Sequence, residues 1–111
     1  PVISSTHQEA GYSGTSRIYY ASSDCSVTAV SDGVVVSAGW NTSRGYSVQI
    51  VDENDMVWVY SHMDSLDVNA GDVVSTGDKI GVVGYTGWAE QIQLELELWY
   101  GGQPINLNNL V

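Results

Sequence analysis

Phenylalanine is absent and proline nearly so, with only Pro1 and Pro104. Strong cations are scarce as well: Arg17, Arg44 and Lys79 stand against 13 acidic residues, giving a formal net charge of −10. A phosphate backbone is repelled by such a surface, which argues against nucleic-acid binding, and an anionic membrane surface is disfavoured for the same reason. A cationic partner or a neutral polymer fits the charge. Cys25 is the single cysteine, so no internal disulfide can form. It has no histidine or cation beside it in sequence to lower its pKa, so it reads as an inert small residue rather than a nucleophile. No apolar run approaches the roughly 20 residues of a membrane-spanning helix. The chain opens on a polar segment at Pro1, as a domain excised from a longer exported protein would.

What is present suits one domain of 111 residues, with 43% apolar residues and 12 glycines. No stretch of helix length has apolar residues at a 3.6-residue period. Short runs alternate or stay apolar for a few residues between turn signals, so the chain reads as all-β. Residues 1–16 lack periodicity and read as an N-terminal arm or loop, ahead of a folded domain at 17–111. In "VTAVSDGVVVSAGW" the pair Asp32-Gly33 between apolar runs is a hairpin signal. "YSVQIVDENDMVWVYSHM" reads as two strands about the turn Asp52 to Asp55. Gly71-Asp72 and Gly77-Asp78 mark two closely spaced turns. "YTGWAE" reads as a loop, and "YGGQPINL" as a Gly-Gly turn followed by an extended tail.

The stretch "QIQLELELWY" alternates cleanly. Ile92, Leu94, Leu96 and Leu98 fall on one face, which the pattern assigns to the core. Gln93, Glu95 and Glu97 fall on the other, where two like charges stand together without a lysine between them. Trp58, Tyr60 and His62 share a face by the same rule. Glu95 and Glu97 suit a cation site or a solvated, amide-bonded pair. A glycosidase-like acid–base pair would need carboxyls about 5–5.5 Å apart, and no other feature supports that chemistry.

From about Ser26 onward, over roughly three quarters of the chain, the motifs "VTAVSDGVVVSAGW", "YSVQI", "VYSHM", "VNAGDVVSTGDKIGVVGYTG" and "QLELEL" come in an order and spacing similar to the LytM/lysostaphin-type zinc endopeptidases of bacterial cell walls. The resemblance implies that family's fold, a duplicated hybrid motif of two small antiparallel sheets with a central groove. It also implies what the polar face of the 93–97 strand is for. In the family that strand carries His-x-His, the first acting on substrate or water and the second binding zinc. Here those positions are Gln93 and Glu95, and His62 matches the family histidine that stabilises the transition state.

The remaining family ligands belong to a His-x-x-x-Asp motif. Its histidine position falls near Gly14 or Thr15 and its aspartate near Ile18 or Tyr19, none of which is a zinc ligand. His7 does not restore the pair, because the residue four beyond it is Gly11. A catalytic zinc takes three protein ligands and an open position for water. The resemblance therefore implies a degenerate member, similar to stage II sporulation protein Q-like domains, without catalytic residues, metal ligands or zinc. The function so implied is a protein-interaction or scaffold module of the bacterial cell envelope, in sporulation or cell-wall remodelling. The expected partner is another envelope protein or peptidoglycan, with the membrane reached only through a segment outside this chain. The expected groove is lined by Trp40, Tyr46, Tyr85, Trp88, His62, Gln93, Glu95 and Glu97. Two other readings are an active peptidoglycan endopeptidase with a rearranged metal site and a peptidoglycan-binding module.

Overall fold

Alternation over residues 93–99 produces the central strand of the domain. A computed structural model describes residues 8–22, 24–89 and 91–107, with side chains described from residue 14 onward. The described elements are all strands: β1 (Gln8–Ser13), β2 (Ser16–Tyr20), β3 (Ser26–Thr28), β4 (Gly33–Asn41), β5 (Gly45–Val51), β6 (Val57–Leu66), β7 (Val73–Val74), β8 (Lys79–Val83), β9 (Gln93–Tyr100) and β10 (Gln103–Ile105). Leu94, Leu96 and Leu98 of β9 are buried in one core with Val48, Ile50, Tyr60, Met63 and Ile80, and half-buried Ile92 packs against it.

Hydrogen bonds join the strands into one branched antiparallel sheet rather than two separate ones. Its main path is β1-β2-β9-β6-β5-β4-β7, and β10 adds to β9. The branch arises because β6 is ten residues long and changes partner along its length. Val57 to Ser61 pair with β9, whereas Met63 to Leu66 pair with β8, which in turn carries β3.

Three local readings differ from the sequence expectation. Asp32-Gly33 does not close a hairpin, since β3 pairs with β8 and β4 with β5 and β7. The Asp32 carboxylate instead accepts the backbone N–H (2.7 Å) and hydroxyl (3.0 Å) of Thr76, tying the turn to the segment after β7. Residues 8–16, read as part of an arm or loop, form β1 and its turn into β2, with Gln8 paired to Tyr20 and Ser13 to Ser16. A strand at the sheet edge needs no apolar alternation to pair, so its sequence carries little signal. The tail after Gly101-Gly102 returns to pair with β9, placing Gln103 opposite Tyr100. The β5–β6 hairpin forms about Asp52, whose Oδ1 accepts the N–H groups of Asn54 and Met56.

Candidate functional site

The site grows from an interruption in β6. Val48 of β5 lies opposite Tyr60 and Tyr46 opposite Met63, so β6 carries one residue more than β5 between these pairs. This bulge falls at Ser61–His62, and His62 adopts φ +69°, a conformation that L-residues other than glycine rarely take. The alternation therefore breaks there. Trp58 and Tyr60 turn toward the core, but His62 does not share their face as expected. Its ring meets Glu95, which stands on the face of β9 opposite Leu94 and Leu96.

His62 is buried and held at both nitrogens. Nδ1 lies 2.8 Å from the carbonyl oxygen of Thr86, and Nε2 lies 3.0 Å from Glu95 Oε1. Both partners are acceptors, so both contacts are hydrogen bonds only when the ring carries both protons. Glu95 Oε2 also accepts the Ser16 hydroxyl at 2.6 Å. The His62 hydrogen bond, helped by that of Ser16 and by the charge of Arg44, holds the Glu95 carboxyl below its ordinary pKa against the opposing effect of burial. Two residues further along β9, Glu97 receives both Nε and Nη2 of Arg44 at 3.1 Å, and Trp99 Nε1 donates to Glu97 Oε1 at the same distance. Both carboxylates are thus taken up by side-chain donors, which leaves no free acid–base pair of the glycosidase kind.

The loop Tyr85–Ala89 docks on the β4–β5 turn and carries the aromatic residues with it. Thr86 Oγ1 donates to the Met63 carbonyl (2.6 Å) and accepts the Tyr46 N–H (3.2 Å), and Trp88 N–H donates to the Ser43 carbonyl (2.9 Å). The contact requires two glycines. A Cβ on Gly45 would lie 2.5 Å from the Thr86 carbonyl carbon, one on Gly87 2.4 Å from the Gly45 nitrogen, and both residues have positive φ. Tyr46, Tyr85 and Trp88 are thereby gathered around the backbone that holds His62. Trp40 lies opposite Tyr46 and meets its ring edge-on at 5.2 Å. Trp88 is 74% exposed and Trp40 60%, so these rings line a surface and leave the core to others. Gln93 closes the near end through its N–H to the Gly84 carbonyl. Of the eight residues expected at the groove, His62, Glu95 and Glu97 are held by the side-chain contacts above, and Trp40, Tyr46 and Trp88 border the β4–β5 turn and its loop. Sequence reasoning missed Ser16, Arg44 and Thr86, which anchor it. Arg44 was visible as one of three cations, and Thr86 as part of the Thr-Gly motif, but their contacts are long-range and leave no local signature.

The donor set does not fit a tetrahedral zinc. Ile18 is buried and is the Cα partner of Glu95 across β2 and β9, so an apolar side chain stands beside the only carboxylate at a ligand position. Tyr19, the other candidate for that position, belongs to the core. Gly14 sits in the β1–β2 turn at φ +61°. Among the described residues, no three His, Cys, Asp or Glu side chains converge, and His7 lies outside those residues.

The model of peptidase family M23 matches residues 13–107. The chain belongs to this family. The M23 domain is 35% identical over 82 residues to the murein hydrolase activator NlpD of Escherichia coli strain K12, covering 72% of this chain and 21% of that protein. Its fold is that of the antimicrobial peptidase lysostaphin from Staphylococcus simulans, with a TM-score of 0.82 at 21% identity, over 95% of this chain and 48% of that one. A chain of the SpoIIQ-SpoIIIAH pore forming complex superposes with a TM-score of 0.77 at 25% identity, covering 84% of this chain and 61% of that one. The chain spans about a fifth of the length of the curated relatives it matches.

Proposed function

We propose that this M23 domain is a catalytically inactive module that binds another protein of the bacterial cell envelope, outside the cytoplasm, in sporulation or cell-wall remodelling. The observation that carries the reading is the state of the third ligand position. Glu95 is occupied by His62 and Ser16 and faces Ile18, so its oxygens are already satisfied within the protein. His62, the residue matching the family's transition-state histidine, is likewise consumed by Glu95 and Thr86. The scaffold carries exposed aromatic residues, while Glu95 and His62 are engaged with groups of the protein itself. The likeness to a murein hydrolase activator and to a chain of a two-protein complex supports a binding role. The rim residues Trp40, Tyr46, Tyr85 and Trp88 supply large amphipathic surfaces suited to a partner.

The test is elemental analysis of metal-replete protein together with a peptidoglycan cross-bridge cleavage assay. The expected result is no stoichiometric zinc and no cleavage. One zinc per chain with chelator-sensitive cleavage overturns the proposal in favour of a rearranged metallopeptidase. Sedimentation with purified peptidoglycan, without recognition of any protein, favours a wall-binding module.

A further inference from the structure

The second feature of the surface lies away from His62 and Glu95. Strand β4 has no charged residue from Gly33 to Asn41, and it pairs with β7 only at Gly33 and Val34. One residue further on, Val35 exchanges backbone bonds with the Gly71–Asp72 turn. From Val36 to Asn41 no described strand covers the side of β4 away from β5. An uncharged, six-residue edge is what folded proteins ordinarily guard with lysine, proline or a covering loop. Here the single irregularity is the bulge between Val35 and Ser37.

The edge continues into an apolar patch with an acidic rim. Val34 and Val73 are Cα partners and both exposed, and Val36, two residues along β4, is exposed as well. Val34, Val51 and Val73 line a depression of about 630 Å³ that is rimmed by Asp32, Asp52 and Glu53. Asp32 is held by Thr76, and Asp52 by Asn54, Met56 and Trp58, all neutral donors. Among the described residues no Lys, Arg or His lines the depression; Arg44 is engaged with Glu97, and Lys79 lies 3.5 Å from Asp67.

We infer that the β4 edge and the valine patch dock an extended, basic segment of a partner protein, which adds to the sheet alongside Val36–Asn41. Main-chain hydrogen bonds to the free edge supply the register, and alternate apolar side chains of the segment meet Val34, Val36 and Val73. Its lysines or arginines face the carboxylate rim. A second copy of this chain fits poorly, because pairing two such edges brings two acidic rims and two net charges of −10 together. The inference rests on the binding role proposed above and extends its surface from Trp40 of the aromatic rim along β4 to the valine patch.

The test is a titration of isotope-labelled domain with a synthetic eight-residue peptide in which valine alternates with lysine, and with its glutamate counterpart. The lysine peptide is expected to slow amide exchange in Val36–Asn41 and to shift the methyl resonances of Val34, Val36 and Val73. Its Kd should rise with salt, as the rim is screened over about 10 Å at 0.1 M, and the glutamate peptide should not bind. The double variant V36K/V73K, altered at exposed positions, is expected to weaken binding about tenfold or more through charge repulsion. Equal binding of both peptides, shifts confined to Tyr85 and Trp88, or no shift at all overturns the inference. Concentration-dependent protection of the edge without peptide identifies a second copy as the occupant and overturns it as well. Zinc content and cleavage, measured on the same preparation, report separately on the inactive-module reading.

Discussion

His62 Nε2 lies 3.0 Å from Glu95 Oε1, and the contact exists because a bulge turns His62 out of the alternation of β6. The pair ties β6 to β9, the Ser16 hydroxyl adds β2, and the Thr86 carbonyl adds the aromatic loop. A side-chain network thus joins the elements around the position where the family places a metal. Removing Glu95 takes away the acceptor at Nε2 of the buried His62 ring. Glu95→Ala is expected to destabilise the domain by about 1–3 kcal/mol, the cost of stranding a donor such as His62 Nε2. Urea denaturation of the single variants and of the His62→Ala/Glu95→Ala pair checks this. Additive effects within about 0.5 kcal/mol would show that the two residues are not coupled.

The same pair sets an acid limit on stability. The folded state holds Glu95 below its ordinary pKa of 4.5. Its contribution is therefore present above that value and is lost as pH falls through the lower folded value. Glu95→Gln should flatten the acid limb of a stability profile as pH falls below 4.5. An unchanged acid limb would show that other carboxylates govern it.

Restoring one ligand does not restore the metal site. Glu95→His is expected to bind no stoichiometric zinc, because Ile18 and Gly14 still offer no donor, and to lose the bond to His62. Calorimetric titration with zinc checks this. Tight binding by the single variant would show that some other residue completes the coordination sphere.

Two glycines with opposite surroundings give a paired prediction. Gly87→Ala drives a Cβ into the Gly45 nitrogen and the Ser43 oxygen at positive φ. It is expected to cost at least about 1–3 kcal/mol and to alter Trp88 fluorescence as the loop lifts. Gly39→Ala in β4 has nothing within 4 Å of the new Cβ. It should stabilise the domain by about 0.4–1 kcal/mol through the unfolded chain. Equal effects of the two substitutions would remove the close-approach explanation.

Tyr60 is buried, and its phenol oxygen accepts the Val30 N–H at 3.0 Å. Tyr60→Phe keeps the ring and leaves that N–H without its acceptor, with an expected loss of about 1–3 kcal/mol. A thermal melt indistinguishable from the parent would show that water replaces the phenol.

Period-2 patterning by itself determined that the chain is all-β and that Leu94, Leu96 and Leu98 point inward while Glu95 and Glu97 point outward, because a strand's faces follow from its backbone geometry. It also placed the turns at Asp52, Gly71, Gly77 and Gly101, where local residue chemistry sets the backbone. The ordered motifs made the family legible, and with it the importance of the 93–97 strand. Tertiary structure alone decided what those positions contact. The flip at His62 depends on a bulge between β5 and β6, and no nearest-neighbour pattern encodes which side of a strand an inserted residue takes. The pairing of Ser16 with Glu95 spans 79 residues and that of Arg44 with Glu97 spans 53. The Asp32-Gly33 turn reads locally as a hairpin, yet β4 pairs with β5 instead, since partner choice rests on the packing of whole faces. Which edge of the sheet stays uncovered is likewise a property of the assembled strand order, and of no segment alone.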